Sequence, residues 1–206
     1  MLIYNLILYT ISPYILIKLI IETIKRKSGI LFLAQRLGLR LRKSNESVIW
    51  IHAASVGEAR IALNVYKGLS RDLPNEKFLI TTNTSPSKLI IPEQDNLYHQ
   101  YMPVDWFLST QRMIKAINPK ICILIETELW PNLVSICKHK KIPILVANAR
   151  LSKKTINSPK FIRDIYRKVL SNIDLVLCKS MLERNNYVEL GSIDKKTKVL
   201  GNLKYA

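Results

Sequence analysis

Two stretches of this chain gather the side chains that acid–base chemistry requires. The first is His52-Ala53-Ala54-Ser55-Val56-Gly57-Glu58, and the second is Glu126-Thr127-Glu128-Leu129-Trp130-Pro131-Asn132. In the first, Ala53, Ala54 and Ser55 are small enough to let backbone or ligand approach, Gly57 permits a tight turn, and Glu58 falls in the first turn of the helix that follows. A carboxylate there reads either as a charge complementing the helix dipole or as a general base facing a crevice. The two readings pull its pKa apart, because a helix N-terminus stabilises the anion whereas a base working near neutrality needs a raised value. In the second stretch, Glu126 ends the apolar run Ile121 to Ile125, and Glu128 follows just past it. Two carboxylates beside a buried strand are costly unless solvated, paired or used. Trp130 is crevice wall or ordinary core. A third region, Lys138 to Lys168, holds ten basic residues against the single acid Asp164. It is a solvated helical face or a docking surface for phosphates, in which Arg150 suits bidentate contact.

These residues need elements that hold them at one place. Short apolar runs rich in β-branched residues alternate with segments of helical period, the signature of parallel βαβ construction. Strands are expected at about 48–54, 77–82, 98–102, 120–126, 142–147, 174–178 and 197–200, with helices at about 57–72, 106–117, 129–140, 158–172 and 180–190. The segment from Thr84 to Leu97, with Pro86 and Pro92, is a short helix or a loop. The expectation is one open α/β sheet with helices on both faces, and such sheets bind ligands beyond the carboxyl ends of their strands. Both motifs sit there.

With 206 residues, 48% of them hydrophobic, the chain supports one sizeable core and a terminal appendage. Its net charge of +17 points to an anionic partner. Nucleic acid is excluded as the expected one, since aromatic stacking and helix-turn-helix signals are missing. Cys122, Cys137 and Cys178 are far apart and odd in number, which argues against a disulfide framework. His52, His99 and His139 are equally scattered, so no metal is assigned and all three read as packing or surface. From Met1 to Ile17 no side chain is charged, and Lys25, Arg26 and Lys27 close the apolar segment. It is read as a membrane-anchor helix over residues 1–24, spanning or interfacial, with the basic flank keeping the rest cytoplasmic.

On these motifs the chain resembles the 3-deoxy-D-manno-octulosonic acid (Kdo) transferases. The matching pieces, in order, are Arg36-Leu37-Gly38, the run ending Val56-Gly57-Glu58, Thr81-Thr82, the run Glu126 to Asn132, Ala147 to Ser152, and Gly201-Asn202-Leu203-Lys204. The resemblance implies the Rossmann-like N-terminal half of a GT-B glycosyltransferase, residues 25–206 forming its acceptor-binding domain. It implies an inverting, metal-independent enzyme without a cofactor, moving Kdo from CMP-Kdo to a lipid A precursor (lipid IVA) in lipopolysaccharide synthesis at the bacterial inner membrane. By that resemblance Glu58 is the catalytic base, Glu126 a carboxylate stabilising the transition state, and Lys204 a basic group near the developing charge. Glu128 shares the motif, and Ser55, Gly57 and Arg150 contact the acceptor. The family's CMP-Kdo domain is not found before Ala206, so a truncated or split product, or a separate chain carrying that domain, is expected. The alternative is a non-catalytic membrane-tethered lipid-binding module or an inactive remnant.

Overall fold

The computed structural model describes residues 1–203. Seven strands form one sheet, all parallel: β1 (Val48–Ala53), β2 (Lys77–Thr82), β3 (Leu97–Tyr101), β4 (Pro119–Ile125), β5 (Ile144–Ala149), β6 (Leu175–Cys178) and β7 (Thr197–Val199). Their order, β3-β2-β1-β4-β5-β6-β7, reverses between β1 and β4. That is the Rossmann-like arrangement, and it opens a crevice at the carboxyl ends of those two strands. All six residues of β1 are buried, as an apolar central strand requires.

Among the described residues ten α-helices precede or join the strands: α1 (Leu2–Thr10), α2 (Ser12–Lys25), α3 (Gly29–Arg36), α4 (Val56–Asp72), α5 (Ser85–Lys88), α6 (Phe107–Ile117), α7 (Pro131–His139), α8 (Lys153–Ile156), α9 (Lys160–Leu170) and α10 (Met181–Leu190). The ambiguous segment after Thr84 is α5 followed by a turn, closed by a bridge between Gln94 and Leu97. Residues of α6, α7, α9 and α10 enter the core on one face of the sheet, around Trp50, Cys122, Leu124 and Val146. On the other face α4 is the one described helix whose buried residues, such as Ile61 and Tyr66, enter the core. Helices on both faces were expected, but this second layer is thin. Beside α4 it leaves an apolar trench of about 500 Å³, lined by Val65, Leu69, Ile123, Leu145, Leu177 and Leu200.

The apolar N-terminal segment is not the single helix expected over residues 1–24. It is α1 and α2, bent by 54° at Ile11, and no single described helix is long and apolar enough to cross a membrane. Pro13 in the first turn of α2 explains the break, since its ring excludes a continuous ladder through that point. The pair is also docked. Leu19 packs with Phe32, Tyr101 and Val104, and Trp106 Nε1 donates to Ser12 Oγ at 2.8 Å. Next to this cluster, Gly38 adopts φ +75°, and a Cβ there would lie 2.5 Å from Ser109 Cβ, so only glycine lets α3 lead back against α6.

Candidate functional site

The turn from β1 into α4 holds Glu58 by its own sequence. Ser55 is the N-cap: its Oγ accepts from the Glu58 amide at 3.3 Å and donates to Glu58 Oε1 at 2.8 Å. The Ala54 amide donates to Oε2 at 2.8 Å. Serine followed three residues later by a glutamate that reaches back is a capping box. The dipole reading of Glu58 is thus structurally real. It does not settle the protonation, because burial pushes the Glu58 pKa up, the negative charge of Glu128 pushes it further, and the donors from Ser55 and Ala54 only partly oppose this. Gly57 has a different role from the one expected. Its backbone is not left-handed, and a Cβ would meet nothing nearer than Ser55 Oγ at 4.0 Å. The turn does not demand glycine, and a side chain could be accommodated there.

Across the switch point, Glu126 directly follows β4, and its φ of +61° is uncommon for a residue with a Cβ. The Glu126 amide donates to the Ala147 carbonyl at 2.9 Å, and its own carbonyl accepts from Tyr187 at 3.2 Å. At the end of β5, Asn148 has a φ of +54°. Thr127 donates to the Arg150 carbonyl, tying the loop after β4 to the loop after β5, and the Arg150 side chain is exposed above it. Leu203, the last described residue, donates its amide to Asn148 Oδ1 at 3.2 Å, which brings the C-terminal segment to the same crevice. Lys204 lies outside the described residues.

Glu128 is the residue through which the two motifs meet. Trp130 Nε1 donates to its Oε2 at 2.8 Å, and His52 Nε2 lies 3.7 Å from the same oxygen. His52 is fully buried, and its Nδ1 is 2.9 Å from Thr81 Oγ1, which also accepts from Trp50 Nε1 at 2.8 Å. Thr81 Oγ1 thus joins Trp50 Nε1 and His52 Nδ1, and Nε2 is the ring nitrogen left facing Glu128. Among the described residues Nε2 has no hydrogen-bond partner. His52 is thus buried, as the packing reading expects, and it also abuts the carboxylate of the second motif. The signal available in the sequence was its place in the motif before Glu58.

Two further residues had no role assigned from sequence, Arg36 being only part of a matching run, because their partners are distant in sequence. Arg36 is buried, donates to Asn83 Oδ1 at 2.8 Å and to the Met102 carbonyl, and keeps its charge although burial lowers its pKa to about 10, with Glu22 and Glu128 opposing the loss. Asp105 caps α7, accepting from the amides of Asn132 and Leu133, each at 2.9 Å, and from the Tyr4 hydroxyl at 3.0 Å. Asn132 Nδ2 also donates to Asn5 Oδ1 at 2.6 Å, so α1 is fastened to the end of the second motif. The basic stretch Lys138 to Lys168 is not one surface. Lys140 and Lys141 line a cleft with Lys115 and Lys120 at the amino ends of β4 and β5, the wrong end of a parallel sheet, whereas Arg150, Lys154 and Lys160 lie on the crevice side. Among the described residues no group of three or more His, Cys, Asp or Glu side chains is placed to hold a metal ion.

The geometry is a pair of carboxylates at a switch point, one with raised proton affinity, beside a buried imidazole and a cation. Comparison with known proteins gives it a family. Residues 32–206 match the model of the family described as 3-deoxy-D-manno-octulosonic-acid transferase (kdotransferase). The enzyme of that name from Haemophilus influenzae is 35% identical over 159 residues, which are 76% of this chain and 37% of the relative. The one from Rickettsia bellii is 31% identical over 206 residues, 98% of this chain and 49% of the relative. The chain thus spans about half or less of the length of these curated relatives. Among solved structures, the UDP-GlcNAc 2-epimerase of Neisseria meningitidis aligns with a TM-score of 0.55 at 15% identity, over 77% of this chain and 47% of that one, a likeness of fold alone. By its sequence along almost its whole length, this chain belongs to the 3-deoxy-D-manno-octulosonic acid transferase family.

Proposed function

We propose that the chain forms the acceptor side of a glycosyl transfer that moves Kdo from CMP-Kdo to a lipid A precursor such as lipid IVA, in lipopolysaccharide synthesis. The observation that carries this reading is Glu58, fixed by its capping box at the sheet's switch point and held more basic than an ordinary carboxylate by burial and by Glu128. A sugar hydroxyl placed over Gly57 gives its proton to Glu58. Its oxygen attacks the anomeric carbon of Kdo from the face opposite the phosphate, the C–O bond to CMP breaks, and CMP departs with the electron pair, inverting that carbon. Glu126 stabilises positive charge developing on the sugar, Lys204 the negative charge on the leaving phosphate, and Ser55 and Arg150 contact the acceptor. No metal or cofactor enters the steps. The donor site is assigned to the part of the relatives that this chain does not match, whether joined to it or on a second chain. The helices α1 and α2 anchor the domain to the cytoplasmic face of the inner membrane.

The test is Glu58→Gln in the chain combined with a CMP-Kdo-binding domain of the family. Gln keeps the shape and one acceptor oxygen but takes no proton, so turnover should fall by about 10² to 10⁴ while melting changes by less than the equivalent of ~1 kcal/mol. An unimpaired variant removes the base assignment and leaves Glu58 as a helix cap.

A further inference from the structure

The helices α6 and α7 begin at the carboxyl ends of the strands and finish at the opposite pole of the sheet. At that pole their last turns and the amino ends of β4 and β5 border an open cleft of about 420 Å³. Its floor is Ile114, Pro119 and Ile142, and its walls carry Lys115, Lys120, Lys140 and Lys141, all four exposed. Among the described residues, Glu76 beside Lys120 is the one carboxylate within ion-pair reach of them. Cations at helix C-termini complement the dipole, which accounts for Lys115 and Lys140. It does not account for Lys120 and Lys141, which lie outside the helices, nor for two backbone carbonyls. Four residues after Lys115 and His139 stand Pro119 and Pro143, which have no N–H to donate, and the amides of Asn118 and Ile142 go instead to the carbonyls of Ile114 and Cys137. The Lys115 and His139 carbonyls are left pointing out of the helix ends toward the lysine pole.

We propose that this cleft docks an acidic, extended segment of a soluble partner protein. The occupant follows from what the cleft offers. Its ammonium groups take carboxylates as point charges, its two carbonyls take backbone N–H groups, and its apolar floor takes a short aliphatic side chain. A peptide brings all three. A phosphate ion or a nucleic-acid backbone brings acceptors alone, and the cleft has no aromatic side chain on which a base would stack. An anionic membrane is set aside by position. The 11 residues of α6 span about 16 Å, and at its other end Trp106 holds Ser12 of α2, so the cleft faces away from the apolar helices. This inference is independent of the transfer reading, because no residue lining the cleft lies at the crevice.

The probe is the peptide Glu-Asp-Ile-Glu-Asp, amidated at its carboxyl end and carrying fluorescein at its amino end. The 206-residue chain is titrated into it at ~0.1 M salt, and fluorescence anisotropy gives the affinity. Lys115→Gln combined with Lys140→Gln should weaken binding about fivefold, the size of two partly screened ion pairs. Lys18→Gln combined with Lys25→Gln removes the same charge from α2 and should weaken it less than twofold. All four side chains are exposed, so both doubles should melt close to the parent protein. Equal weakening by the two doubles would mean diffuse attraction to a chain of charge +17 and would overturn the cleft. The same peptide methylated at its backbone nitrogens should bind about threefold more weakly, since it has no N–H for the two carbonyls. Unchanged affinity of the methylated peptide would overturn the extended peptide as occupant. A labelled thymidine pentanucleotide, with four phosphodiesters to match the four carboxylates, should bind more weakly than the peptide and equally well to both doubles. An oligonucleotide that binds as tightly as the peptide and loses affinity only in the Lys115 and Lys140 double would make the cleft a nucleic-acid site and overturn the proposal.

Discussion

At the scale of single residues, the consequence of the site lies in the charge repulsion between Glu58 and Glu128. Partial burial and a like charge nearby both favour the protonated form of Glu58, and as the proposed base it works only when ionised. Turnover should therefore fall as pH drops through a value above the ordinary glutamate range. Glu128→Gln removes the repulsion, so the acid limb of the profile of turnover against pH should move to lower pH. A limb that stays in place, or moves up, would separate Glu128 from Glu58. His52 enters the same balance from the other side, since its ring lowers the Glu58 pKa while its Nε2 faces Glu128. In the sequence, the placing of Glu58 and Glu126 just beyond β1 and β4 was legible because each follows an apolar strand. His52 was not, because a lone histidine beside a strand is usually satisfied packing, and only Trp50 and Thr81, brought in from the sheet, show which nitrogen is left facing the carboxylates.

At the scale of elements, Asp105 ties three helices to one carboxyl group: it caps α7, accepts from Tyr4 of α1, and receives Thr110 of α6 at 3.4 Å. Removing it in Asp105→Ala strips the cap and leaves buried donors unmatched, so a loss of about 2 kcal/mol is expected, read as a melting temperature lower by roughly 4–8 °C. Its protonation adds a pH signature. Burial raises the pKa from 3.8 to about 7 against the pull of its four donors. With the folded value above the unfolded one, the contribution to stability is complete below about pH 4 and is lost as pH rises toward about 7. Melting followed across that window should show the decline in the parent protein and a flatter curve in Asp105→Asn. The strands were legible almost to the residue, because in a parallel sheet each is a bounded run of β-branched and apolar side chains. The N-terminal helices were not. An apolar, charge-free run looks like one helix, and neither the break that Pro13 makes nor the contacts of Tyr4, Asn5 and Ser12 with residues about a hundred positions away has a local signature.

At the scale of the whole molecule, positive charge and apolar surface act together. Ile17, Ile20, Ile21 and Ile24 are exposed along α2, and Lys18, Lys25, Arg26 and Lys27 lie in or just after it. Vesicles containing anionic lipid should bind the chain in a sedimentation assay. Raising salt from ~0.1 M to ~1 M, which shortens the screening length from ~10 to ~3 Å, should weaken binding without abolishing it, and full release would mean that α1 and α2 contribute no apolar insertion. The trench beside α4 bears on how the protein behaves as a colloid. Leu200 there is 55% exposed, and Leu145 and Leu177 beside it are only partly buried. Repulsion between molecules of charge +17 keeps these faces apart in dilute buffer. Sulfate screens that repulsion and strengthens apolar association at once, so the uncovered sheet face sets the point at which the folded protein leaves solution.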